Sequence, residues 1–190
     1  MTDRERKGEI LLEIARETIC AAVLGTPLGE WDEPWLGEPG ATFVTIKRRG
    51  ELRGCLGSMV AERPLLEDLR HNAQAVVARD PRFAPVTPDE LPETTVEVSL
   101  LSPLEPVPCA TETEVLAALS EERCGYYLEH GSRSGTFLPQ VWESLPEPTG
   151  FWRRLKEKAG LDPGFWDPEI RLWRYRVDKW AAAEPIRPPN

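Results

Sequence analysis

"ATFVTIKRRGELRGCLGSM" spans residues 41–59, and its reading decides the fold. Residues 41–46 are rich in β-branched and aromatic side chains, which suit a pleated strand. "KRRG" turns the chain, and residues 51–59 return as the second strand of a hairpin. Side chains alternate between the two faces of a regular strand. On that pattern Arg53, Cys55 and Gly57 share one face, while Leu52, Gly54, Leu56 and Ser58 share the other. The leucines mark the buried side, so Arg53 and Cys55 should project together from the opposite one.

Upstream of the hairpin, residues 9–24 carry Ile10, Ile14 and Thr18 on one line with Leu11, Ala15 and Ala22 beside it. That is a helical period, and Gly25 is placed to end it, with Cys20 packed in or near the helix. Residues 26–40 form a Pro- and Gly-rich loop holding Trp31 and Trp35. Downstream, residues 63–81 predict a helix with Pro64 in its first turn and Leu65, Leu69, Ala73, Val76 and Val77 on its inner stripe. Asp80-Pro81 stops it, and His71 falls on the solvent side. Thr87 and Glu90 match a capping box.

"TTVEVSLL" (94–101) alternates cleanly, with Val96, Val98 and Leu100 on one face and Thr95, Glu97 and Ser99 on the other. A short helix over 112–122, a hairpin over 125–142, a helix over 149–160 and a last strand over 170–177 complete the pattern. Hairpins mixed with helices predict an α+β fold, an antiparallel sheet flanked by helices. Residues 181–190 read as a loose tail.

The 190 residues suffice for one domain with a real core. The net charge of −9 works against a protein whose affinity comes from the phosphate backbone of a nucleic acid, although a local basic patch would still leave nucleic acid as a partner. The charged start "MTDRERKGE" is unlike a secretory signal, and no apolar run approaches a membrane span, which predicts a cytosolic chain with no membrane partner. Four scattered cysteines and two histidines give little support to a tetrahedral zinc site, so no metal is expected and each cysteine should be a free thiol. There is no P-loop, dinucleotide fingerprint or iron–sulfur cysteine run, and the residues name no cofactor.

"FVTIKRRGELRGCLGS", "DPRFAPVTPDEL", "TVEVSLLSPLEPV", "SGTFLPQVW" and "FWRRLKEKAGL" occur in this order. Together they resemble the AMME chromosomal region candidate protein family, whose prokaryotic members are called AmmeMemoRadiSam system protein A. The likeness covers residues 8–180 as a single AMMECR-type domain, and "LRGCLG" matches the family signature "LRGC[IL]G". The resemblance implies two unequal lobes with a cleft between them. It also implies Memo-like and radical-SAM proteins as partners, and it supplies no reaction. One departure stands out. The late helix commonly carries a cysteine before "KAG", where this chain has Lys156, Glu157 and Lys158.

Around the signature, Cys55 is the candidate nucleophile. Arg53 is the cation that would favour its thiolate, and Gly54 and Gly57 would let a ligand approach. Against this, free cysteines are often small buried hydrophobes, and glycines also serve tight packing. Glu97 could orient Arg53 or act as a general base if desolvation raised its pKa, with Ser99 beside it. The competing reading is a solvated strand face. Arg82 could hold an anion or pair with Asp80 in the "DPRF" turn. Gln140 follows Pro139 in a strand kinked enough to aim a side chain into a site. Neither His71 nor His130 is a strong candidate base. These residues predict an enzyme with thiol-dependent chemistry at Cys55, or a substrate-handling protein, acting on a nucleotide, an RNA base or a small anionic metabolite. The alternative is a non-catalytic adaptor.

Overall fold

The computed structural model describes residues 2–187. Its elements run α1 (Asp3–Leu24), β1 (Pro39–Arg48), β2 (Glu51–Gly57), β3 (Arg63–Pro64), α2 (Leu65–Ala78) and β4 (Thr94–Leu101). There follow β5 (Glu105–Pro106), α3 (Glu112–Glu121), β6 (Gly125–His130), β7 (Arg133–Phe137) and α4 (Val141–Ser144). The last are α5 (Pro148–Lys158), β8 (Arg171–Tyr175) and β9 (Val177–Ala181). The fold is α+β, with antiparallel pairing throughout the registers observed. Among the described residues, one compact unit takes 2–101 with 178–187, and a second takes 102–177.

The first unit is built on a sheet in the order β2-β1-β4-β9, with the short β3 pairing the start of β1. α1 begins at a capping box, Thr2 with Glu5, and ends at Gly25, whose φ of 74° is the left-handed cap glycine tolerates. Leu11, Ile14 and Ile19 of α1, Leu69, Ala73 and Val76 of α2, and Val44, Ile46, Val96 and Val98 of the sheet form one core. Burying each larger aliphatic side chain contributes about 1.5–3 kcal/mol.

The β1–β2 hairpin turns through Arg49 and Gly50, both at positive φ, the geometry that matches strand twist. It is not regular. Ile46 pairs with Gly54 and Lys47 with Leu52, which leaves Arg53 as the extra residue of a β-bulge. The expected alternation therefore breaks at Arg53. Leu52 lies on the exposed side, and Arg53 and Cys55 do not share a face. Gly54 faces the core, where an added Cβ would lie 2.9 Å from Val76 Cγ2 and 3.0 Å from the Val76 carbonyl oxygen. Its missing side chain lets α2 approach.

The segment expected as one strand over 170–177 is two. β8 belongs to the second unit, and β9 adds to the sheet of the first. The tail is anchored at one residue: Ile186 is fully buried, and its N–H donates to the Thr94 carbonyl at 2.8 Å, while Ala181, Ala183, Glu184 and Arg187 are exposed. The last three residues of the expected loose tail lie outside the described range.

The second unit holds a sheet in the order β5-β8-β6-β7 and a core of aromatic rings. Trp142 stacks on Phe151 at 3.8 Å between centroids, and Tyr126 meets both edge-on. Lys156 is buried in α5, donating to Glu112 at 2.7 Å and to the Phe165 carbonyl at 3.0 Å. At the place where the resemblance leads one to expect a thiol, this helix holds the buried end of an ion pair whose carboxylate, Glu112, is partly exposed. The hairpin expected over 125–142 stops at Phe137, and the chain turns into α4.

Candidate functional site

Cys55 lies on a half-exposed polar face of the first unit's sheet. It pairs across β2–β1 with Thr45, which pairs across β1–β4 with Glu97, so the three form one row. The neighbouring row is Gly57, Phe43 and Ser99; that on the other side is Leu52, Lys47 and Thr95. The structure thus brings together Cys55, Gly57, Glu97 and Ser99 from the expected set. The Thr45 hydroxyl donates to Cys55 Sγ at 3.2 Å and fixes where the sulfur points.

Glu97 sits between two ammonium groups, Lys47 Nζ and Lys179 Nζ, each at 2.6 Å. Burial alone would push its carboxyl up. The hydrogen bonds and charges of Lys179 and Lys47 outweigh burial and hold it below the usual carboxylate range. Glu97 is therefore a paired carboxylate, not a base raised by desolvation, and it does not bond Arg53. One carboxylate shared by two partly exposed ammoniums leaves this trio with a net charge of +1.

Arg53 is held elsewhere. Its Nε and Nη2 each donate at 3.0 Å to the Glu90 carboxylate, and Nη2 also donates to the Ala84 carbonyl at 2.9 Å. Only 15% of its side chain is exposed. The Arg53 hydrogen bond, opposed by burial and aided by the Thr87 N–H and Arg48, lowers the Glu90 pKa to about 2. Glu90 serves both as capping residue and as the anchor of Arg53.

The outer edge of β2 is closed by the "DPRF" turn. Asp80 Oδ2 accepts from the Cys55 N–H at 2.9 Å, and Arg82 Nη2 donates to the Cys55 carbonyl at 3.2 Å. Asp80 and Arg82 also bind each other, at 2.7 Å through Oδ2 and Nη2. Chiefly through that bond with Arg82, and against burial, Asp80 is held well below the usual carboxylate range. The ion pair stands where a neighbouring strand would, which protects an otherwise open edge. Arg82 keeps half of its side chain exposed beside Cys55.

Gln140 belongs to the second unit, exposed before α4 rather than in a kinked strand. Gly57 is backed by Phe43: an added Cβ would lie 2.3 Å from its ring. His71 is exposed, and among the described residues neither histidine hydrogen-bonds Cys55. The tryptophans are packing residues: Trp152 is buried with its Nε1 donating to Glu112, and Trp31 Nε1 donates to Glu17.

Three participants were missed in the sequence. The sequence places Lys47 in the turn, but in the structure it continues β1 and the alternation of Phe43 and Thr45. Lys179 was hidden by the split of the last strand. The third is a buried polar cluster under β1. Asp68 Oδ2 accepts from the Thr42 N–H and hydroxyl, both at 2.8 Å, and from Asn72 Nδ2 at 3.0 Å; its Oδ1 accepts from Ser58 Oγ at 2.6 Å. The signal was a polar pair, Asp68 and Asn72, spaced i, i+4 on the inner side of α2.

A model of the AMMECR1 family matches residues 12–180. A protein of Thermococcus gammatolerans is 36% identical, with the alignment covering 97% of this chain and 95% of that one. A protein of Thermotoga maritima is 37% identical, covering 73% and 75%. The crystal structure of an uncharacterized protein from Pyrococcus horikoshii superposes with a TM-score of 0.81 at 30% identity, covering 94% of this chain and 92% of that one.

Proposed function

The chain belongs to the AMMECR1 family, and from that premise we propose that it is a substrate-handling protein whose polar sheet face receives a small anionic ligand. The ligand class is a phosphate- or carboxylate-bearing metabolite or a nucleotide. Lys47 and Lys179 receive the anion, Ser99 and Thr45 offer hydroxyls, and Cys55 contacts the ligand from the next strand. Arg82 adds a half-exposed guanidinium at the edge. Arg53 and Gly54 support the site from beneath it by holding the bulge and the helix.

The observation that carries this reading is the row Cys55, Thr45 and Glu97 with two ammoniums on one carboxylate. A face kept only for solubility has no need to crowd two cations on a single buried partner in a row that ends at a thiol. Ligand-detected proton NMR with AMP and with citrate tests it. Binding by the wild type that is lost in Lys179→Gln supports the reading; binding unaffected by Lys179→Gln counts against it. Lys179 is half exposed, so the substitution leaves the core intact.

A docking reading draws on Leu52 and Val60, 45% and 47% exposed. Leu52 stands next to Lys47 on the same face. In that reading Memo-like or radical-SAM proteins cover the face, and Leu52→Ser abolishes their capture while small-anion binding persists.

A further inference from the structure

At the end of β6, His130 faces two carboxylates from the loop that leads into β8. His130 Nε2 lies 3.8 Å from Asp167 Oδ2, and one ligand atom from each of His130, Asp167 and Glu169 falls within 4.8 Å of the others. At 3.8 Å the imidazole and carboxylate are not hydrogen-bonded to one another. Two carboxylates and an imidazole therefore converge on shared space with no hydrogen bond among the three side chains.

We propose that His130, Asp167 and Glu169 form a binding site for a divalent transition-metal cation of the zinc class. The site is independent of the anion-binding face. A four-coordinate ion with bonds near 2.1 Å sets its ligand atoms about 3.4 Å apart. His130 and Asp167 then close by about 0.4 Å, and the exposed Glu169 rotates in. Two ligands are already oriented. The His130 ring packs edge-on against Phe165 at 5.1 Å, and Asp167 Oδ1 accepts from the Glu169 N–H at 2.7 Å, which leaves Oδ2 for the metal.

The charge around the site points the same way. Glu129, Glu169 and Arg171 line an adjoining hollow of about 340 Å³. With Asp167, three carboxylates face one guanidinium, a deficit that a divalent cation neutralises. One imidazole with two carboxylates suits zinc, cobalt, nickel or manganese better than calcium or magnesium, which prefer an all-oxygen shell. Three protein ligands leave one position open to water. The histidine and the two carboxylates come from separate segments, so no short cysteine–histidine spacing announces the site.

Calorimetric titration of the full chain with zinc chloride, followed by the absorption spectrum of the cobalt(II) form, tests the site. The wild type is expected to take one ion, with a cobalt spectrum free of intense thiolate charge-transfer bands. His130→Ala should weaken uptake roughly 10- to 100-fold, and Glu169→Gln at least about tenfold. Glu169 is exposed, so its variant keeps the test sound if His130→Ala disturbs folding. No uptake by the wild type, uptake unchanged in Glu169→Gln, or a cobalt spectrum dominated by thiolate bands overturns the proposal.

Discussion

Arg53 grips Glu90 with two prongs, Nε and Nη2 each 3.0 Å from a carboxylate oxygen. A planar guanidinium fits a carboxylate in this way and no other side chain does. The pair ties the bulge of β2 to the short helical turn Pro88–Glu93 that carries Glu90. The arginine of the "LRGCLG" motif is thus a strut, and the thiol two residues on looks out from the sheet's polar face.

Arg53→Ala should destabilise the chain by about 2–4 kcal/mol, because it leaves a nearly buried carboxylate with only Arg48 and the cap donors. Arg53→Lys should recover only part of this, since an ammonium cannot reproduce the two-pronged contact. Urea denaturation measures both. A loss under about 0.5 kcal/mol in Arg53→Ala, the range of ordinary surface substitutions, would show that the pair is not structural.

The same pair makes stability depend on acid. Glu90 is lowered to about 2 in the fold, chiefly by Arg53. Its contribution is therefore complete above the ordinary glutamate range and is lost as pH falls from roughly 4.5 toward 2. The amount is on the order of 2–3 kcal/mol. Glu90→Gln should flatten the stability curve over that interval, and an unchanged slope there would contradict the assignment.

Gly54→Ala should cost about 1–3 kcal/mol, the usual range for overpacking. Its new methyl would meet the Val76 carbonyl, which is backbone and cannot rotate away. Pairing the change with Val76→Ala should recover little, because the clash with the carbonyl remains. Full recovery in the double variant would locate the strain in the valine side chain instead.

Asp68→Ala should cost at least about 2 kcal/mol, since the Thr42 N–H and hydroxyl and the Asn72 amide all lose their shared acceptor inside the fold. Thermal unfolding of the variant reads the loss. A melting temperature equal to that of the wild type would mean that water replaces the carboxylate.

Much of the fold was legible because the hydrophobic period was strong. β4 spans the residues its alternation marks, α3 begins and ends within one residue of expectation, and Gly25 caps α1. The bulge was not legible. Arg53 and Leu52 obey a regular alternation in the sequence, and only the pairing with β1 shows that one residue is extra. The same limit hid the partner of Arg53: Glu90 carried a complete local explanation as a capping residue. The strand at 170–177 read as continuous because Trp173, Tyr175 and Val177 keep one period, while the chain passes at Arg176 from one sheet to the other. The proposed site was half legible. Glu97 and Ser99 alternate onto one face of β4 as the sequence implies, but only the register with β1 places Cys55 on that same face; of the cations, Lys47 falls in the expected turn and Lys179 between the expected last strand and the expected tail.

The most direct test of an anion-receiving face beside a thiol uses the thiol itself. Rates of alkylation of Cys55 by iodoacetate and by neutral iodoacetamide are compared, with peptide mass spectrometry separating Cys55 from the other three cysteines. 2-Mercaptoethanol supplies the ratio for a thiol without a surrounding field. We expect the iodoacetate-to-iodoacetamide ratio at Cys55 to exceed that reference by about two- to fivefold, and to fall in Lys179→Gln and in high salt. A ratio at or below the reference, unmoved by Lys179→Gln, would show that the lysines do not favour an anion at Cys55.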